Sequence, residues 1–382
     1  MLQFQQRISM KYRKQQETYH KKGNKNMSKV PISVCLIAKN EEKNIEECLK
    51  RLKPYGFEII VTDTGSTDKT KELAARYADK VLDFEWIDDF SAARNFCAKN
   101  ASNNWILSLD CDEYVNSIDV KTMRILMQKF PRYTGVIRLK NLVLDEEGKP
   151  GYGTDDVTRF YNRNFYTFDY PIHEQVCSKD MAKREEMMQC FLLPMEVIHH
   201  GYALTPEEMQ EKQRRNLDLL YKNLERDPED SYTLFQIGQS EFILGNHEKA
   251  VTFYERGLAS DPSPEFIYVQ VMIISLAKAY VKVGREKEAL ALMEHYAGQC
   301  KTAKFQFTHA GVCLDNNQPL KALLLYVKTT TMADADTLGE NLLHCYEHII
   351  DLYRDMGNEE MANVFKGRYE ACIREKERVV NS

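Results

Sequence analysis

Between residues 32 and 109 short apolar runs alternate with stretches in which apolar residues recur every three or four positions, and the runs stop at polar or acidic residues. Ile32–Ala38 is almost continuously apolar, the pattern of a parallel strand buried on both faces. Asn40 stands where it can cap the following helix, in which Ile45, Cys48, Leu49 and Leu52 share a face before Pro54 and Gly56 stop it. Residues 57–63 predict a second strand that ends on Asp63. Thr64-Gly65-Ser66-Thr67-Asp68 then leads into a helix carrying Leu73, Ala74 and Tyr77, with Thr67 and Asp68 suited to its cap and first turn. A third strand over 81–84, a helix over 91–99 and a fourth strand over Trp105–Leu109 continue the alternation, and Thr134–Leu144 and 157–163 read as later strands. Such alternation predicts an α/β domain with a mainly parallel sheet over residues 30–203.

Beyond residue 203 strand signals disappear and an internal repeat takes over. Asp227-Pro228 and Asp261-Pro262 are one helix-turn-helix period apart, with Ile237, Gly238, Phe242, Gly245, Ala250, Tyr254 and Leu258 between them. Gly238 and Ala250 fall where two helices must cross closely. Ala277, Tyr280, Gly284 and Ala289 repeat the pattern, and Ala322 and then Tyr353, Gly357 and Ala362 echo it more loosely. Residues 204–382 are therefore expected to form an all-α repeat domain resembling tetratricopeptide repeats. Stacked helix pairs present an extended concave face suited to a peptide or protein segment, and homodimerisation is the competing use. Tyr232, Phe235, Phe266 and Tyr268 can line such a groove or simply belong to the core.

Composition narrows the class. With 43% hydrophobic and 29% charged residues in 382, the chain reads as an ordinary globular protein of two domains. A net charge of −5 gives no reason to expect nucleic acid as a partner. The ten cysteines are scattered singly, which favours reduced thiols in a cytoplasmic protein over disulfides or a zinc site. Residues 1–29 carry eight Lys or Arg against the single acid Glu17 and read as a disordered basic tail, with Met27 as a candidate start. No stretch is apolar for long enough to be an integral membrane segment.

Candidate chemistry lies at the strand ends. Asp63 closes one strand, and Asp110 and Asp112 close another. Open α/β sheets place their ligands at those carboxyl ends. In an extended chain residues two apart face the same way, so Asp110 and Asp112 can address one divalent cation. Gly65, Ser66 and Thr67 allow a tight turn whose N–H groups can meet an anion or a base edge, and Asp63 suits a nucleobase imide or ribose hydroxyls. Neither Gly-x-Gly-x-x-Gly nor a Walker-type Gly-Lys-Ser/Thr is present, which removes the main support for dinucleotide or P-loop readings.

Four segments in order carry a more specific signal: Ile32–Ala38 with Asn40 and Glu41, the Asp63 to Asp68 run, Asp89-Phe90-Ser91-Ala92-Ala93-Arg94-Asn95, and Leu109-Asp110-Cys111-Asp112-Glu113. Together they resemble family-2 glycosyltransferases of the GT-A fold. The resemblance implies a UDP-sugar donor, a Mn²⁺ or Mg²⁺ ion held by Asp112 and Asp110, and inverting transfer. It also implies donor contacts from Ala38, Asn40, Glu41, Asp63, Ser66 and Asp110, although Thr64 stands where the family often has a second Asp. Arg94 and Arg159 can grip phosphate oxygens or pin a loop through a carboxylate. Members with helical repeats carry an Ile-His-Glu-Gln stretch like the one at Ile172-His173-Glu174-Gln175, which makes Glu174 the leading general base and His173 its neighbour or substitute. A His before Gly-Tyr also recurs, which makes His199 the first choice and His200 the reserve for an additional metal ligand. Adjacent residues of a strand face opposite ways, so one of the two should reach the cation.

The two-part architecture looks like the peptide S-glycosyltransferases of glycosylated bacteriocins. It implies transfer of a hexose or N-acetylhexosamine to a Cys or Ser/Thr side chain of a peptide or protein held by the repeats. A transferase of cell-surface polysaccharide or lipopolysaccharide, or an inactive tetratricopeptide adaptor, are the alternatives.

Overall fold

In the computed structural model, which describes residues 30–144, 150–184, 188–200 and 206–380, β1 (Ile32–Ala38) is paired on both sides and almost wholly buried. It lies parallel to β2 (Glu58–Asp63) and β4 (Trp105–Leu109), and β2 lies parallel to β3 (Lys80–Asp83). Beyond β4 the sheet turns mixed. β7 (Pro150–Asn162) runs antiparallel to β4 and to β6 (Thr134–Leu144), β11 (Met195–His199) runs parallel to β6, and β5 (Glu113–Ile118) closes the order β3-β2-β1-β4-β7-β6-β11-β5. The short β10 (Cys190–Leu192) also pairs with β6, and β8 (Tyr166–Asp169) with β9 (Gln175–Ser178) makes a separate hairpin.

Alternate residues of the parallel strands feed two cores, as a sheet covered on both faces requires. Val34, Leu36, Ile59, Val61, Leu107 and Leu109 meet helix α1 (Ile45–Leu52) and helix α4 (Val120–Lys129) on one face. Cys35, Ile60 and Ile106 meet helix α3 (Phe90–Lys99) and the β8–β9 hairpin on the other. Helix α2 (Thr70–Ala74) stops short of the expected Tyr77, which instead donates its hydroxyl to Glu46.

The chain divides into two compact units, Met1–Leu204 and Thr205–Ser382. The second begins with α5 (Pro206–Arg226) and continues in four helix pairs: α6 (Ser231–Ile243) with α7 (His247–Ala259), α8 (Ile267–Lys282) with α9 (Glu286–Tyr296), α10 (Ala303–Asp315) with α11 (Pro319–Thr330), and α12 (Asn341–Asp355) with α13 (Glu359–Val380). A Cβ on Gly238 would come within 2.5 Å of the Tyr254 ring, which is why the crossing of α6 and α7 takes glycine. The four aromatic residues considered as groove lining pack on each other instead, with Tyr232 and Tyr268 edge to face at 5.3 Å and Phe235 buried beside them. They belong to the core because rings at helical spacing find one another across α6 and α8.

Among the described residues no helix is long and apolar enough to cross a membrane, and no two cysteines are joined. The basic segment 1–29 and the Gly201-Tyr202 pair lie outside the described residues.

Candidate active site

The loops that leave β1 and β2 are tied to each other before any ligand arrives. The Ala38 carbonyl accepts from the Thr64 N–H at 2.9 Å and from its hydroxyl at 3.2 Å, so Thr64 spends its side chain inside the protein. Asn40 does not cap α1. Its backbone is left-handed (φ 56°), its N–H donates to the Ser66 hydroxyl at 2.9 Å, and its side-chain oxygen accepts from the Thr67 N–H at 2.8 Å. The residue at the cap is Asn44, without a capping side-chain bond, because Asn40 is committed across the gap to the second loop. Glu41 donates its N–H to Thr70 and accepts from the Asn44 amide. Burial, with Asp112 and Asp110 nearby, pushes the Glu41 carboxyl above its usual range.

Asp63 is 2% exposed. One carboxylate oxygen accepts from the Gly65 and Ser66 N–H groups at 3.0 and 2.9 Å, while Oδ2 is buried without a hydrogen-bond partner. A buried acceptor left in this state is costly unless a donor completes it. Gly65, at φ 102°, supplies a backbone that other residues rarely adopt.

The turn after β4 is held from below. Cys111 donates its thiol to the Ile37 carbonyl, and Glu113, 1% exposed, accepts from the Asp110 N–H at 3.0 Å. Asp110 lies between two guanidinium groups, Arg94 Nη2 at 2.6 Å and Arg159 Nη2 at 2.7 Å. Burial opposes its ionisation, yet Arg159 and Arg94 outweigh that and hold the carboxyl well below the usual range. Arg94, buried on α3, also reaches Ser108 at 3.0 Å and Glu174 at 2.6 Å, and Arg159 reaches Glu113 at 3.2 Å. Of the two roles open to these arginines, the structure shows the second. They grip carboxylates, Arg94 those of Asp110 and Glu174 and Arg159 those of Asp110 and Glu113. A guanidinium fork fits a carboxylate as well as a phosphate.

Asp112 meets β11. His199 sits opposite Glu113 in the β11–β5 register, and its Nε2 lies 3.3 Å from Asp112 Oδ2. Its Nδ1 is 3.0 Å from the side-chain oxygen of Asn141, whose amide nitrogen donates to Asp155 at 2.7 Å. Burial alone would lower the His199 pKa, but the bond and charge of Asp112 raise it above the ordinary value. His200 faces elsewhere, its ring 4.6 Å from that of Tyr114, as strand alternation requires. Among the described residues no three His, Cys, Asp or Glu side chains form a ready-made cation cage. Asp112 and His199 are an oxygen and a nitrogen donor in contact, a chemistry that would fit Mn²⁺ or Mg²⁺.

His173 and Glu174 occupy the turn between β8 and β9. His173 and Tyr170 are left-handed there (φ 54° and 72°), and the Phe90 N–H ties the turn to α3 by donating to the Pro171 carbonyl at 2.8 Å. Asp89 caps α3 through the Ala92 N–H, Arg94 one turn on holds Glu174, and Asn95 brackets β8 by bonding both the N–H and the carbonyl of Phe168. The 89–95 segment is thus the bracket between the hairpin turn and Asp110. Sequence reasoning gave no role to Asn95, Ser108, Asn141 or Asp155. The first two lie on elements it identified, while the partners of Asn141 are 58 and 14 residues away.

Residues 33–184 match the model of glycosyl transferase family 2, and residues 231–264 match that of the tetratricopeptide repeat. A TPR repeat-containing protein of Synechococcus elongatus is 31% identical over 62% of this chain and 59% of its own length. The SPbeta prophage-derived glycosyltransferase SunS of Bacillus subtilis is 28% identical over 60% of this chain and 54% of its own. An uncharacterized glycosyltransferase of Rickettsia bellii is 30% identical over 36% of this chain and 48% of its own. The chain therefore matches little more than half the length of the first two relatives.

Proposed function

From a family-2 glycosyltransferase domain at residues 33–184 joined to a tetratricopeptide repeat at 231–264, we propose a metal-dependent, inverting transfer of a hexose or N-acetylhexosamine from a UDP-sugar to a peptide or protein side chain. The observation that carries this reading is the pair of Asp112 and His199 at one strand end, on the same sheet edge as Asp63 with its unpartnered buried oxygen.

Asp63 Oδ2 accepts the imide N–H of the uracil, completing the bond that the protein leaves open. Ser66 and Asn40, on the loops bound to each other, line that side. Asp110, fixed by Arg94 and Arg159, keeps lone pairs for a ribose hydroxyl. Asp112 and His199 would hold Mn²⁺ or Mg²⁺, which would supply positive charge to stabilise the departing UDP. Glu174, aimed by Arg94, takes the proton of an acceptor thiol or hydroxyl as the freed lone pair bonds to the anomeric carbon. The carbon–oxygen bond to UDP breaks on the opposite face, so the configuration inverts. His173, beside Glu174, is the substitute base. The helical repeats hold the acceptor segment.

The test is UDP release from UDP-glucose and UDP-N-acetylglucosamine with Mn²⁺, with and without Cys- or Ser-containing peptides. Peptide-stimulated release and a mass gain on the peptide are expected. Release that is absent with every donor, or unchanged by EDTA, overturns the reading.

A further inference from the structure

We propose that Asn141 is a positioning residue that fixes the tautomer of His199, so that the Nε2 lone pair faces Asp112 and the two form a cation-binding couple before substrate arrives. The inference deepens the proposed function, and its bearing on the cation rests on that reading.

The argument starts from Asp155. A carboxylate only accepts, so the group that Asn141 turns toward it must be the amide nitrogen, at 2.7 Å. That leaves the carbonyl oxygen of Asn141 aimed at His199 Nδ1, 3.0 Å away. A carbonyl also only accepts, so Nδ1 must carry the proton. In a neutral ring Nε2 then has a bare lone pair, and it lies 3.3 Å from Asp112 Oδ2. Two acceptors at that distance repel unless a positive charge lies between them, which a second ring proton supplies when the imidazole is charged and a divalent cation can supply in its place. With the other tautomer the Nε2–H would donate to Asp112 and close the couple to a cation.

The surroundings are built to hold this choice. Asn141 is 5% exposed on β6 and pairs in register with His199 of β11, so neither end can drift. Orientation of a ligating imidazole through its second nitrogen is the general means by which a protein tunes such a site. The Asn141–His199 contact joins adjacent strands and the Asp155–Asn141 contact joins β7 to β6, so three strands contribute one relay.

Two readouts on the full chain test it. In ¹⁵N-histidine spectra of the metal-free protein, recorded where every imidazole is neutral, the His199 signal should be that of the Nδ1–H form. It should move to the Nε2–H form in Asn141→Leu. Mn²⁺ binding followed by electron paramagnetic resonance with UDP present should weaken roughly 10- to 100-fold in the same variant. Asn141→Asp combined with Asp155→Asn restores an acceptor at 141 and a donor at 155, and should recover most of both signals. Should Asn141→Leu not fold, Asp155→Ala at the exposed end of the relay should shift both readouts in the same direction by less. An unchanged His199 tautomer in folded Asn141→Leu overturns the inference. Absence of Mn²⁺ binding in the unmodified protein overturns the proposed function instead, and the tautomer still decides the role of Asn141.

Discussion

In the sheet domain Asp63, Arg94, Glu113 and Asn141 are buried among other polar groups, whereas the helix crossings of the repeat unit bury Gly238, Ala250, Tyr254, Ala277 and Ala289. Buried charge is costly to maintain, and replacing it with apolar side chains of the same volume often stabilises a protein. A fold that nevertheless keeps two arginines and three carboxylates in one network has a reason beyond stability. Small and aromatic residues at helix crossings call for no such reason, because close packing alone accounts for them. The contrast teaches where in this chain a residue type signals chemistry and where it signals shape.

The sharpest way to break the comparison is at Asp112. Asp112→Asn should lower UDP release roughly 10³-fold, equivalent to about 4 kcal/mol, while circular dichroism and thermal unfolding stay close to those of the parent. Arg94→Ala comes next. It strands the Glu174 carboxylate and leaves Asp110 with Arg159 alone, and urea titration should register a loss of about 3–5 kcal/mol. In the repeat unit Gly238→Ala pushes a methyl group into the buried Tyr254 ring and should cost about 1–3 kcal/mol, with UDP affinity by calorimetry unchanged. Equal losses of UDP affinity in Gly238→Ala and Asp112→Asn would erase the distinction between the two regions.

The smallest effect is one of pH. Burial works against the Glu58 carboxylate, but hydrogen bonds from Ser102 and Ser33 and the Lys80 ammonium hold its pKa lowered to about 2. A depressed folded value means stability present above the unfolded value of about 4.3, and lost as pH falls from there toward 2. Glu58→Gln should flatten that part of the acid-unfolding curve, measured by fluorescence between pH 5 and pH 2.

What the sequence revealed follows the range of the forces involved. The parallel strands are legible because burial on both faces writes a nearly continuous apolar run at 32–38 and 105–109, and the polar residue that ends each run marks the site edge. The repeat is legible because its packing recurs at a fixed period. Asn40 was misread as a cap because a cap and a bridge between loops ask for the same side chain. The roles of Arg94 and Arg159 could not be divided between phosphate and carboxylate, since both ligands present paired oxygens. The Asp155–Asn141–His199–Asp112 relay left no local signal at all, because its members come together only when β7, β6, β11 and the turn before β5 are assembled.

The most direct test of a cation and a diphosphate sharing the strand-end cleft is the calorimetric affinity of UDP with and without Mn²⁺, in the unmodified chain and in Asp112→Asn. The account predicts that Mn²⁺ tightens UDP binding at least 10-fold in the former and that this coupling disappears in the latter. UDP affinity that Mn²⁺ does not change in the unmodified chain, or a coupling that survives in Asp112→Asn, would contradict it.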